Sequence, residues 1–297
     1  MRTAIVLWRG QIAQRFLPRC DIRHTVSSLL MCLAGCALSP PGAENAAATA
    51  EAAGFVPVSL STGEFRLFAL QRVALEPGQI LTVYIEGDGH AWRRRNQPSA
   101  DPTPRQSVAL GLAMQDPGPA VLYLARPCQY QPRPLPPACD VSVWTSHRYS
   151  ETVITAMNAA ITEAAAEFDK VALVGYSGGG SVAALVAARR QDVAWMMTIA
   201  ANLDHRAWTE LHRVSPLTGS LNAADIAQAV ENIPQMHLVG GHDKIAPLAI
   251  IQSFMDRMSD ESRAQMKVEP GFDHYCCWEQ RWPELMERVA GPRPAPG

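Results

Sequence analysis

The chain has 297 residues, 47% of them hydrophobic and 18% charged, which is enough to bury a sizeable core and rules out disorder as its main state. A formal net charge of -2 leaves no basic field to hold a polyanion, so general nucleic-acid binding is excluded. No run of about 18 apolar residues occurs, which excludes a bundle of membrane-spanning helices.

In the first 24 residues Arg2, Arg9, Arg15, Arg19 and Arg23 face a single acid, Asp21, and an apolar stretch follows from Val26 to Gly35. A basic segment running into a short apolar one has the layout of an export signal. The stretch ends in Leu33-Ala34-Gly35-Cys36, which resembles the bacterial lipobox. That resemblance implies that residues 1–35 are removed and that a lipid on Cys36 anchors the chain to a membrane of the cell envelope. Ala37, standing where an aspartate would resemble an inner-membrane retention signal, favours the outer membrane. Ordinary cleavage nearby, leaving Cys36 a free thiol, is the alternative. Loss of residues 1–35 leaves 21 basic and 27 acidic residues, a net charge of about -6. Residues 36–54 are dominated by Ala, Pro and Gly, with Leu38 the lone large apolar side chain, and read as a flexible tether. A folded domain is expected over 55–290 and a disordered tail over 291–297.

Past Cys36 four cysteines remain: Cys128, Cys139, Cys276 and Cys277. An even number in an exported chain suggests disulfides. Cys128 and Cys139 bracket a loop holding Pro132, Pro134, Pro136 and Pro137, which cannot form regular structure and gains from a staple. Adjacent cysteines rarely bond to each other, so Cys276 and Cys277 are expected to be free or to displace that pairing. No spaced Cys or His set supports a metal site, and no cofactor is expected.

In chain order, strand patterns run from Val56 to Ser59, Glu64 to Val73 and Ile80 to Glu86, followed by a helix from Ser107 to Gln115 and a strand from Ala120 to Ala125. A helix from Glu151 to Phe168, a strand from Val171 to Tyr176 and a helix from Gly178 to Arg190 come next. Strands Ala194 to Ala200, Met236 to Gly240 and Lys267 to Glu269 then alternate with helices Ala224 to Asn232, Pro247 to Met258 and Trp282 to Val289. Runs such as Val171-Ala172-Leu173-Val174 are apolar without alternation, as parallel strands covered on both faces require. The opening pair reads as a hairpin. Together these predict an α/β fold with a mostly parallel sheet about eight strands wide and helices on both faces.

The strand ending at Tyr176 runs into Gly175-Tyr176-Ser177-Gly178-Gly179 and a helical pattern starts at once. This is G-x-S-x-G between a strand and a helix, a turn that exposes Ser177 at the carboxyl edge of the sheet as a candidate nucleophile. Its bland reading is a glycine-rich helix start. A serine hydroxyl needs a base, and the base needs an acid to fix its tautomer. Asp243 follows the strand ending at Gly240, and His274 follows the last strand. Asp243 also suits a helix cap, and Asp204 is a rival acid. His242 is too close to Asp243 to pair with it, and His205 and His212 precede the acid.

The order Ser177, Asp243, His274 resembles that of the α/β-hydrolase superfamily, and the resemblance covers the body from Phe55 to about Ala290. It implies a serine hydrolase, esterase- or lipase-like, that cleaves an ester, thioester or amide of a small or acyl substrate through an acyl-enzyme. It further implies an oxyanion hole from the N–H of Gly178 and a second N–H in Glu86-Gly87-Asp88-Gly89-His90, from Asp88 or Gly89. The His-Gly-Gly-Gly of many lipases is absent there, and the Asp88 carboxylate must turn away from a forming oxyanion. His90, Trp92 and Tyr176 are candidate substrate contacts, beside the basic triplet Arg93-Arg94-Arg95, which equally suits a solvated turn. Trp144 to Tyr149, ahead of a helix, is read as a loop anchor. The segment from Asp204 to Pro234 has room only for a small cap. A different reading is an envelope lipoprotein that keeps the hydrolase fold as a binding or scaffold module without turnover.

Overall fold

The structure is a computed structural model and describes residues 41–74, 79–259 and 262–289. The expected signal segment 1–35, Cys36 and the tail 291–297 lie outside the described residues.

Helix α1 spans Pro41–Glu51, within the segment expected to be a tether. The expectation fails because alanine is the best helix former and a face of small side chains packs closely without large ones. Ala43 and Ala50 are buried, and Arg72 ties the exit of the helix down by donating to Ala53 O at 3.1 Å. The fold therefore begins before Phe55.

Eight strands form one sheet: β1 (Val56–Thr62), β2 (Phe65–Val73), β3 (Ile80–Ile85), β6 (Ala120–Leu124), β7 (Lys170–Tyr176), β8 (Val193–Ile199), β9 (Gln235–Gly240) and β10 (Ala264–Glu269). Their spatial order is β1-β2-β6-β3-β7-β8-β9-β10. The β1–β2 pair is the expected hairpin, and β2 also runs antiparallel to β6; every later neighbour is parallel. A small separate hairpin, β4 (Trp92–Arg94) with β5 (Gln97–Pro98), was not foreseen, because three- and two-residue strands carry no period.

Helices cover both faces. Val171 and Leu173 of β7 enter the core shared with α3 (Glu151–Ala164) and α4 (Gly178–Ala187). Val174 and Tyr176 enter the opposite core, with α2 (Val108–Met114) and α8 (Trp278–Val289). Two-sided burial explains the unbroken apolar run. All ten residues of α4 are buried, which accounts for its lack of a polar face. Helix α8 starts four residues before its expected first residue and carries Pro283 inside it, because Trp278 and Trp282, one turn apart, are both fully buried.

Between β8 and β9 the chain makes α5 (His205–His212), a 3-10 turn (Ala223–Ile226) and the one-turn α6 (Ala227–Val230), a small cap as expected. Helix α7 (Leu248–Met255) links β9 to β10. Register sets Ile85 opposite Gly175, Tyr176 opposite Ile199 and Gly240 opposite Glu269, so the loops after β3, β7, β9 and β10 leave from one edge.

Candidate active site

The turn between β7 and α4 holds Ser177 at φ 50° and ψ -121°. A non-glycine residue there costs about 1–3 kcal/mol, offset by a surround that fixes the turn. Ser177 N donates to Ile199 O at 2.8 Å, while Gly180 N and Asn202 N donate to Ser177 O. The strand and helix approach so closely that a Cβ on Gly175 would strike the Gly179 backbone, and one on Gly179 would strike Ile85 O.

The three residues picked from chain order come together. His274 Nε2 lies 3.0 Å from Ser177 Oγ, and His274 Nδ1 lies 2.8 Å from Asp243 Oδ2. The carboxylate can only accept from Nδ1–H, which leaves Nε2 as the proton acceptor facing the hydroxyl. Asp243 Oδ1 meanwhile accepts from Ile245 N at 2.7 Å and Ala246 N at 2.8 Å. One oxygen thus caps the turn and the other holds the imidazole, so the two readings of Asp243 are not rivals. Asp204 faces elsewhere. It caps α5 through Arg206 N and Ala207 N, and takes further hydrogen bonds from Asn222, Ser253 and Arg257.

Tyr176, expected among the substrate contacts, is buried with its hydroxyl donating to His274 O at 2.9 Å and its ring centroid 5.5 Å from the imidazole. Its side chain therefore faces the histidine. Burial, followed by the nearby Tyr275, Glu86 and Asp243, pushes this phenol far above its ordinary value, so it stays a donor. Trp278 Nε1 also donates to His274 O, at 3.2 Å. Tyr275, which sequence reasoning missed, stands edge-on to the imidazole at 5.1 Å and is 61% exposed.

Loop 86–90 lies alongside the elbow. A Cβ on Gly87 would touch Ser177 Cβ at 3.3 Å. Gly87 N donates to Glu86 Oε1 and His90 N to Pro102 O, each within 2.9 Å, while Gln129 Nε2 donates to Gly87 O at 3.0 Å. Gly89 packs against the Pro102 carbonyl, which leaves Asp88 as the loop residue beside Gly178. Gly178 opens α4, so its N–H has no carbonyl one turn earlier to bond. The Asp88 carboxylate turns to Arg148 Nη1 at 2.6 Å and Arg126 Nη1 at 3.4 Å. Burial alone would raise its pKa, but the two guanidiniums outweigh burial and hold it below the usual carboxylate range.

His90 is half-buried with Nε2 3.1 Å from the Arg105 guanidinium; slight burial, then Arg105 and Arg93, lower its pKa. Trp92 is 39% exposed on the β4–β5 hairpin. Arg95 donates to Arg213 O at 2.9 Å and so ties that hairpin to the end of α5. No sequence signal marks Arg126 as a site neighbour, and Arg148 is visible only as part of the loop anchor. Cys128 and Cys139 are bonded to each other. Cys276 and Cys277 are also bonded to each other, against expectation; next to them Asp273 Oδ1 accepts from Tyr275 N and Cys276 N, and Trp278 Nε1 donates to Asp273 O at 3.0 Å. Among the described residues no three His, Cys, Asp or Glu side chains are grouped to hold a metal ion, and no helix is long and apolar enough to cross a membrane.

No protein-family model and no curated protein matches the chain. Solved structures do. An acylaminoacyl peptidase of Pyrococcus horikoshii superposes with a TM-score of 0.59 at 11% identity over 82% of this chain, which spans 43% of the length of that peptidase. Est1E from Butyrivibrio proteoclasticus gives 0.55 at 13% identity, covering 80% of this chain and 99% of its own. An alpha-beta serine hydrolase homologue from Coxiella burnetii gives 0.52 at 16% identity, with 79% and 95% covered. With its sheet order, its elbow after β7 and these neighbours, the chain has the α/β-hydrolase fold.

Proposed function

We propose that the protein is a serine hydrolase acting on an ester, thioester or amide of a small or acyl substrate. The observation that carries this reading is the continuous relay from Ser177 Oγ through His274 to Asp243, at 3.0 and 2.8 Å. In it, Ser177 Oγ attacks the substrate carbonyl carbon while its proton passes to His274 Nε2. The carbonyl π electrons move onto oxygen, which the N–H groups of Gly178 and Asp88 receive. The tetrahedral intermediate collapses, the bond to the leaving group breaks, and His274 returns the proton to that group. Water then attacks the acyl carbon as His274 Nε2 takes its proton; the new C–O bond forms, the acyl-serine bond breaks, His274 returns the proton to Ser177 Oγ, and the acid product leaves. Asp243, which accepts from Nδ1–H, stabilises the transient imidazolium. Tyr275, exposed against the His274 ring, is a substrate contact of this reading, and Trp92, exposed on the β4–β5 hairpin, is kept as a second candidate.

The experiment is labelling with a fluorophosphonate, which traps an activated serine. The oxidised parent should label at Ser177 and Ser177→Ala should not; a folded parent that stays unlabelled rejects the reading. p-Nitrophenyl esters of rising chain length, with thioester and peptide substrates alongside, then assign the bond and acyl size. We further propose that the protein is exported and held at an envelope membrane through Cys36, on the lipobox-like Leu33-Ala34-Gly35-Cys36. Cys36→Ser should move it from the membrane to the soluble fraction, and unchanged fractionation rejects the anchor.

A further inference from the structure

A carboxylate beside a developing oxyanion opposes catalysis, yet Asp88 occupies that place. A Cβ on Gly178 would run into Asp88 Oδ1 and lie 2.8 Å from the Tyr149 hydroxyl, so the carboxylate is packed against the first residue of α4. Around it stand two guanidiniums, each side chain 6% exposed: Arg148 on Oδ2 at 2.6 Å and Arg126 on Oδ1 at 3.4 Å. Both are themselves fixed. Arg148 Nε donates to Thr145 O at 2.7 Å, Arg126 Nη2 donates to Arg148 O, and the Arg126 guanidinium lies 5.3 Å from the centre of the Tyr149 ring. The other acid of the loop, Glu86, is pushed up by its burial and spends its oxygens on Ser107, Tyr123 and Gly87 N. Each oxygen of the Asp88 carboxylate beside Gly178 is thus met by a guanidinium, while Glu86 is bonded to hydroxyls and to its own loop.

Resting on the hydrolase reading above, we propose that Asp88, Arg126 and Arg148 form a charge-compensated clamp on the oxyanion loop. The Asp88 carboxylate fixes the loop peptide that the hydrolase reading assigns as the second oxyanion donor, and the two arginines offset its charge where negative charge develops. All three are positioning residues and none touches the reacting atoms. The arrangement also explains why the residue after Ser177 is glycine, since any side chain there would displace the carboxylate.

The test is steady-state kinetics on a p-nitrophenyl ester with the full oxidised chain. Arg148→Gln leaves the carboxylate only the longer 3.4 Å contact with Arg126 and should lower kcat about a hundredfold while KM changes less than about threefold. Adding Asp88→Asn to Arg148→Gln removes the offending charge and should restore kcat by about tenfold or more. A merely structural role gives no such recovery, because the second substitution removes yet another hydrogen bond. The clamp is overturned if folded Arg148→Gln turns over like the parent, or if the folded double variant is as slow as Arg148→Gln. Should Arg148→Gln fail to fold, Arg126→Gln takes its place, with a loss of kcat expected that adding Asp88→Asn partly recovers; a folded Arg126→Gln that turns over like the parent overturns the clamp. A parent that neither turns over nor takes the fluorophosphonate rejects the hydrolase reading instead, whatever the variants do.

Discussion

His274 Nε2 faces Ser177 Oγ at 3.0 Å across a separation of 97 residues, and the ring is gripped from behind by Asp243, 31 residues away. Two carboxylates at the carboxyl edge, Asp243 and Asp204, therefore have separable work. Asp243→Asn keeps an oxygen for Ile245 N and Ala246 N but favours the wrong imidazole tautomer. It should leave the melting temperature nearly unchanged and cut kcat by about 10³–10⁴. Asp204→Ala should do the opposite. Loss of a buried acceptor for α5, Asn222, Ser253 and Arg257 should cost about 2–4 kcal/mol in denaturant unfolding, with fluorophosphonate labelling below the transition retained.

The Tyr176 hydroxyl holds the backbone carbonyl of His274, with Trp278 as a second donor. Tyr176→Phe keeps the ring against the imidazole and loses one of two hydrogen bonds. A loss of about 1 kcal/mol corresponds to about fivefold in kcat at constant KM. A rise in KM would instead mark the hydroxyl as a substrate contact.

His237, fully buried on β9 between Thr198 and Gln235, has its pKa lowered by burial from 6.5 to about 3. The folded chain keeps this ring neutral while the unfolded chain protonates it below pH 6.5. Its contribution is thus whole above pH 6.5 and is lost as pH falls toward about 3, at about 1.4 kcal/mol per pH unit. Between pH 6.5 and 5 the parent should lose about 2 kcal/mol more in urea unfolding than His237→Gln, which carries no such proton. Parallel pH curves for the two proteins would disprove the linkage.

Cys128 and Cys139, 11 residues apart, close the proline-rich loop that carries Gln129 toward Gly87 O. Removing the link with Cys128→Ser and Cys139→Ser together should cost about 2–3 kcal/mol of stability, measured by denaturant unfolding without reductant. Stability equal to the parent's would show that the loop's packing alone restrains it.

What could be read from the sequence was whatever is local or repeats along the chain. The elbow needs only a buried strand, five residues and a helix in succession, and Ser177, Asp243 and His274 follow strands whose apolar runs mark them out. Helix α1 escaped because alanine and glycine suit a tether and a closely packed helix equally well, and only Ala43 and Ala50 reaching the core decide between them. Arg126 and Arg148 escaped for another reason. They sit in irregular segments whose contacts with Asp88 span 38 and 60 residues, and nothing periodic records such a meeting. Tyr176 was singled out for its place beside the serine, but which way its side chain points depends on the face of β7 it occupies.

The complete burial of α4 has a practical corollary. Its ten residues rise about 15 Å. The helix thus carries the chain from the reactive edge of the sheet to the far one, where Gln191 emerges in an exposed turn before β8. An epitope or fluorescent reporter inserted at Gln191 would sit a helix length from Ser177, so the protein can be followed in living cells without obstructing its mouth.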